Sequence, residues 1–164
     1  FDKVKCTNYD DINKKYLKRA STIVLSPGPG SPKDYPISSN IYKNYKGIKK
    51  ILGICLGFQQ ILYCEGAKII QQKHIYHGFQ SEIKVISRNS IFSHNHKFKV
   101  GRYHSLKLKE PFYSQNFEIT MRCAISGSAM ALENNTDKIY GFQFHPESFL
   151  TEDGNLLIKK ILSA

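Results

Sequence analysis

The chain has 164 residues, 41% of them hydrophobic, and a formal net charge of +11. That length suits one domain, residues 1–164, around a single core. No apolar run nears the roughly 18 residues that cross a bilayer, and no basic-then-apolar leader opens the chain, so no membrane partner is expected. The charge excludes less. A basic balance can mark a nucleic-acid binder, but the lysines are spread along the whole chain, as in "NKKYLKR" and "YKNYKGIKK". A lysine-rich solvated surface is the simpler reading, and no nucleic-acid partner is expected. The cysteines at 6, 55, 64 and 123 form no C-x-x-C pair, which argues against a zinc knuckle or dithiol site. Their scatter fits a reducing compartment, cytoplasmic, or organellar if a targeting segment precedes residue 1.

In chain order, "FDKVKC" alternates weakly and reads as a strand. Residues 10–19 read as a short helix capped by an aspartate. "STIVLS" (21–26) is a continuous apolar run of strand length, as expected of a strand buried on both faces, and "PGPGSP" then breaks regular structure. A helix over 38–47 should end at Gly47, a buried strand follows over 49–55, and a helix from Gly57 should stop at Gly66. "AKII" opens another strand. The second half is strand-rich: "SEIKVIS", "FKVGRYHSLKLK", "NFEITMRCAI", "SAMALEN" and "IYGFQFH" (139–145), with a closing helix "NLLIKKILSA". Strand–helix alternation followed by clustered strands predicts an α/β sheet with an added β-rich section.

The segment Gly53-Ile54-Cys55-Leu56-Gly57 has the form G-x-nucleophile-x-G, a strand running straight into a cysteine and a helix starting straight after it. In that geometry the nucleophile sits on a strained turn, at a helix N-terminus that favours thiolate, and the next backbone N–H faces an incipient oxyanion. Free cysteine is also among the most buried residue types, so this stretch alone leaves nucleophile and core filler both open. Of six histidines, His145 has the best context for a base: it ends a strand, Pro146 follows, and Glu147 can orient its ring. "FHPE" alone, without Cys55, reads rather as a surface turn whose histidine merely caps the strand. In "SPGPGSP", Gly28 and Gly30 permit close backbone approach, and the loop lacks the lysine of a P-loop. It reads as an oxyanion donor loop or as a tight connector. His94 and His96 form an H-x-H pair without further ligands, so no metal site is expected.

Taken together, "LSPGPGSP" (25–32), "ILGICLGFQQI" (51–61), "HG" (77–78), "GRYHSL" (101–106) and "GFQFHPESFLTEDG" (141–154) resemble the class I glutamine amidotransferases, nearest the glutaminase subunits of anthranilate synthase and aminodeoxychorismate synthase. The resemblance implies a doubly wound, mostly parallel sheet of flavodoxin-like type flanked by helices. It implies Cys55 as nucleophile, His145 as base and Glu147 as its orienting partner. It also implies Gly28, Pro29 and Leu56 around the oxyanion hole, and Gly30, Gln59, Ser105 and Leu106 against bound glutamine. The implied reaction releases ammonia through a γ-glutamyl thioester and passes it to a chorismate-using synthase subunit. That synthase serves tryptophan biosynthesis or, alternatively, folate biosynthesis. No cofactor is implied in this chain; Mg2+ belongs on the synthase partner.

The chain departs from the family pattern twice. Phe58 stands where the anthranilate type usually has histidine. The opening strand and helix, with their Asn-Tyr-Asp-Ser-Phe loop, are absent, which raises the alternative of a truncated, inactive remnant. A βα unit of roughly 20–30 residues placed centrally in the sheet would leave a groove when missing. A version carrying that unit is expected to be more stable than this one.

Overall fold

The computed structural model describes residues 3–164. Seven strands form one mixed sheet in the order β1 (Thr22–Leu25), β2 (Lys50–Ile54), β9 (Ile139–Phe142), β8 (Ala129–Asn134), β7 (Glu118–Cys123), β4 (Phe79–Val85) and β5 (Lys97–Arg102). β3 (Ile69–Gln71) and β6 (Leu106–Leu108) pair separately. The main helices are α1 (Lys14–Arg19), α2 (Pro36–Tyr45), α3 (Leu56–Cys64) and α4 (Gly154–Ser163).

The α/β class with flanking helices is as expected, but the sheet is mixed where a mostly parallel one was anticipated. β2 pairs in parallel with β1 and β9, while the β9–β8, β8–β7, β7–β4 and β4–β5 pairings are antiparallel. The β-rich second half therefore extends the same sheet. The seven strands follow one another without a break, so the groove expected inside the sheet is not present; β1 and β5 are its edges.

Strand β2 shows why the parallel end is apolar on both faces. Ile51 packs with Phe58, Ile61 and Leu62 of α3, whereas Leu52 and Ile54 pack on the opposite face with Phe142, Phe144 and, from α4, Leu157 and Ile161. Alternate side chains of a strand point to opposite faces, so a strand covered by helices on both sides must be hydrophobic throughout. Truncating a fully buried residue such as Ile51 or Phe58 to alanine costs about 2–5 kcal/mol.

Three local expectations are corrected. Lys3–Thr7 form no strand, and Phe1 and Asp2 lie outside the described residues. The first helix begins at Lys14, because Asn13, not an aspartate, accepts from the Lys15 N–H at 2.9 Å. "FKVGRYHSLKLK" is not one strand: it divides at Tyr103–Ser105 into β5 and β6, which belong to different sheets.

Candidate active site

Cys55 is the single residue between β2 and α3, with φ 51° and ψ −99°. A non-glycine residue with positive φ is strained, and two contacts hold it there. Its N–H donates to the Phe142 carbonyl at 2.7 Å, carrying the β2–β9 pairing one residue further, and its carbonyl accepts from the Gln59 N–H at 3.1 Å, closing the first turn of α3. The flanking glycines are steric requirements. A Cβ on Gly53 would lie 2.5 Å from the Gly57 carbonyl carbon, and a Cβ on Gly57 would lie 2.0 Å from the Leu25 carbonyl oxygen. Leu56 opens α3, so its N–H has no intrahelical acceptor.

The loop after β1 lies against this turn. A Cβ on Gly28 would meet Leu56 Cδ2 at 2.9 Å, which brings Gly28 and Leu56 side by side. The loop is pinned from below: the Tyr35 hydroxyl donates to the Pro29 carbonyl at 2.9 Å, and the Asp34 carboxylate accepts from both the N–H and the hydroxyl of Ser31 at 2.8 Å. Those two Ser31 hydrogen bonds hold the Asp34 carboxyl below its ordinary pKa. Gly30, with φ +76°, makes the bend.

His145 does not end β9 as expected; the strand stops at Phe142. The histidine is set instead by its N–H, which donates to the Gly101 carbonyl at 3.0 Å, and by its own carbonyl, which accepts the Thr151 hydroxyl at 2.6 Å. Its Nδ1 faces Glu147 Oε1 at 2.8 Å, and Tyr103 packs edge-on against the ring with centroids 5.1 Å apart. Nε2 is buried and has no hydrogen-bond partner among the described residues. Burial disfavours the imidazolium, but Cys55 and Glu147 outweigh it and raise the His145 pKa to about 9. Burial likewise opposes ionisation of Glu147, yet its pKa falls because His145 and the backbone bond to the carboxylate.

Gln59 and Leu106 meet through Gln59 Nε2 and the Leu106 carbonyl at 3.4 Å. Ser105 is half-buried beside them, its carbonyl accepting from the Gln72 N–H at 2.8 Å. Phe58 turns away into the core between α3 and the sheet and is fully buried. The candidates from four distant segments thus form two joined groups: Gly28, Leu56 and Cys55 at the start of α3, and Gln59 with Leu106 one turn along it. His145, with Glu147 beside it, is coupled electrostatically to Cys55.

Sequence reasoning missed Gln143. Its side chain is buried, donates from Nε2 to Cys55 Sγ at 3.9 Å, and accepts from Gln59 Nε2 at 3.1 Å on Oε1. The available signal was a glutamine flanked by Phe142 and Phe144, a polar residue inside an otherwise apolar run. His104 was passed over as well: it is buried, with its pKa lowered to about 4 chiefly by desolvation.

The family model for class I glutamine amidotransferases matches residues 2–164. The anthranilate synthase component 2 of Lactococcus lactis is 40% identical over 157 residues, 95% of this chain and 79% of that protein. The aminodeoxychorismate synthase component 2 of Klebsiella aerogenes is 35% identical over 141 residues, 86% of this chain and 75% of that protein. Among solved structures, a proposed GMP synthase subunit of Thermoplasma acidophilum shares the fold, with a TM-score of 0.78 at 24% identity over 94% of this chain and 77% of that one.

Proposed function

The chain belongs to the class I glutamine amidotransferase family, and on that footing we propose that it hydrolyses the side-chain amide of glutamine through Cys55 and hands the ammonia to a chorismate-using synthase. The observation that carries the reading is a cysteine at a positive-φ turn coupled electrostatically to a histidine whose Nδ1 faces a carboxylate oxygen at 2.8 Å. Three groups in this relation form a nucleophile, an acid–base group and its orienter.

The Cys55 sulfur, its proton already resident on His145, attacks the amide carbon Cδ, forming the C–S bond and pushing the carbonyl electrons onto oxygen. The Leu56 N–H and the backbone of the Gly28 loop receive that charge, and the Asp34 and Tyr35 bonds keep the loop in place beforehand. With its pKa near 9, His145 enters as the imidazolium at neutral pH. It protonates the departing nitrogen as the C–N bond breaks, and ammonia leaves. Neutral His145 then takes a proton from water as its oxygen attacks the thioester; the C–S bond breaks, releasing the γ-carboxylic acid of glutamate and the Cys55 sulfur with its bonding pair, which restores the starting pair with the imidazolium. Gln59, Ser105 and Leu106, with Gly30, are assigned to holding the glutamine.

Similarity to component 2 proteins of two synthases supports a synthase partner. Anthranilate formation is the first assignment because the L. lactis relative matches at higher identity over more of the chain. Aminodeoxychorismate formation is the alternative, resting on the K. aerogenes relative. A chloroketone analogue of glutamine tests the reading. Stoichiometric labelling at Cys55, absent in Cys55→Ala and slowed by glutamine, is expected. Labelling unchanged in Cys55→Ala refutes it, and no labelling with or without synthase identifies an inactive remnant.

A further inference from the structure

Arg102 is the largest side chain in the molecule with essentially no solvent exposure. Among the described residues no carboxylate pairs with it. Its Nη1 lies 3.5 Å from the Cys123 sulfur and 3.5 Å from the Ser81 hydroxyl, its guanidinium carbon stands 3.5 Å from the centre of the Tyr76 ring, and Nη2 has no hydrogen-bond partner among the described residues. A buried cation without an anion is costly, and a residue of similar length without charge, such as methionine, would fill the space without that cost.

The strong contact Arg102 does make runs toward the candidate site. Its Nε donates to His104 Nε2 at 3.1 Å. Arginine can only donate, so His104 Nε2 must carry the lone pair and Nδ1 the proton. Nδ1 faces the Leu106 carbonyl at 2.8 Å. The tautomer set by Arg102 therefore supplies the best-formed hydrogen bond to Leu106, shorter than the 3.4 Å contact from Gln59 to the same oxygen. Gln72 clamps the same segment, donating from its backbone to Ser105 and from its side chain to the His104 carbonyl at 2.5 Å; the same Nε2 stands 3.3 Å from His104 Nδ1, farther than the Leu106 carbonyl at 2.8 Å, so the carbonyl is the partner of that nitrogen. Burial, with the charges of Arg102 and His145, keeps the His104 ring neutral against the pull of the Leu106 carbonyl.

We propose that Arg102 and His104 are positioning residues: Arg102 locks His104 as the Nδ1–H tautomer, and that N–H fixes the Leu106 carbonyl and so the Ser105–Leu106 segment against bound glutamine. This rests on the glutaminase reading above for what the segment holds, but not for the tautomer. Without Arg102 the ring proton is free to move to Nε2, the Leu106 carbonyl faces a lone pair, and the segment loosens. The loss falls on binding of glutamine more than on chemistry at Cys55.

The test joins two readouts. In the wild-type chain, nitrogen NMR of His104 shows a protonated Nδ1 and an unprotonated Nε2; a protonated Nε2 overturns the proposal even if no variant folds. In Arg102→Met, the chloroketone concentration for half-maximal inactivation of Cys55 rises about tenfold, the size of one lost hydrogen bond, while the maximal rate changes less than twofold. His104→Leu behaves the same way. His104→Asn, whose amide N–H can stand in for Nδ1–H, restores at least half of the lost affinity on a logarithmic scale. Equal losses in His104→Asn and His104→Leu, or a changed tautomer with unchanged half-maximal concentration, overturn it. Failure of the wild type to label at Cys55 refutes the glutaminase reading, and the tautomer measurement still decides whether the lock exists.

Discussion

Gly57 in the first turn of α3 lies so close to Leu25 at the end of β1 that a Cβ there would sit 2.0 Å from the Leu25 carbonyl oxygen. The turn presenting Cys55 is thus wedged between the helix and the neighbouring strand. Backbone cannot yield as a flexible side chain can. Gly57→Ala is expected to cost about 3 kcal/mol or more, at the upper end of overpacking penalties. Urea unfolding measures it, and a loss below about 1 kcal/mol would show that the close approach is not needed.

The charge state of His145 gives a second prediction. Its folded-state pKa, about 9, lies above the ordinary 6.5 through Cys55 and Glu147, which overcome burial. The protonated ring therefore contributes stability that is complete below about pH 6.5 and is lost as pH rises through about 9. NMR titration of the ring should find a midpoint near 9 in the wild type, lowered in both Cys55→Ala and Glu147→Gln. A wild-type midpoint near 6.5 would remove the imidazolium from the proposed mechanism.

Gln143 links the sulfur of Cys55 to Gln59. An N–H donated to a thiolate is a charge-assisted hydrogen bond, worth about 1.5–3 kcal/mol. Gln143→Met keeps the length and removes the donor. Inactivation of Cys55 by the chloroketone should slow about 10–100-fold in its maximal rate, the opposite pattern to that expected of Arg102→Met. An unchanged maximal rate would reduce Gln143 to a packing residue.

The Glu65 carboxylate, nearly buried, joins three elements: it accepts from Tyr42 at 2.8 Å and from Asn116, and pairs with Lys46. Burial works to raise its pKa, but these bonds prevail and lower it. Its contribution is therefore present above the unfolded carboxylate range near 4.5 and lost as pH falls through the folded value. Glu65→Ala should destabilise the chain by about 1–3 kcal/mol at pH 7, with the difference from wild type shrinking toward pH 3. A constant difference across that range would contradict the role of the charge.

What was legible in the sequence followed local rules. "KILGI" is apolar after its lysine because helices cover both faces of β2, whereas "TIVL", read the same way, forms an edge strand whose Val24 is exposed, so only one of its faces is buried; the glycines around Cys55 announced a strand meeting a helix too closely for side chains. What was hidden depends on contacts between distant residues. His145 lies beyond the end of β9 because Gly101, 44 positions earlier in the chain, receives its N–H. The break inside "GRYHSL" follows from Arg102 and His104 turning inward, which no alternation of polar and apolar residues signals. Gln143 reads as surface by composition and is buried because Cys55 and Gln59 meet its amide, and Arg102 is buried although one of its terminal nitrogens finds no partner among the described residues. The unbroken sheet could not be inferred either, since strand order is not written in any one strand.

The most direct test of the central claim is mass spectrometry of the chain quenched with acid during turnover of glutamine, in the presence of a chorismate-using synthase. A γ-glutamyl adduct on the peptide containing Cys55 in the wild-type chain, absent in Cys55→Ala, is the predicted result. Release of glutamate at the wild-type rate by Cys55→Ala, or an adduct on another residue, would contradict it.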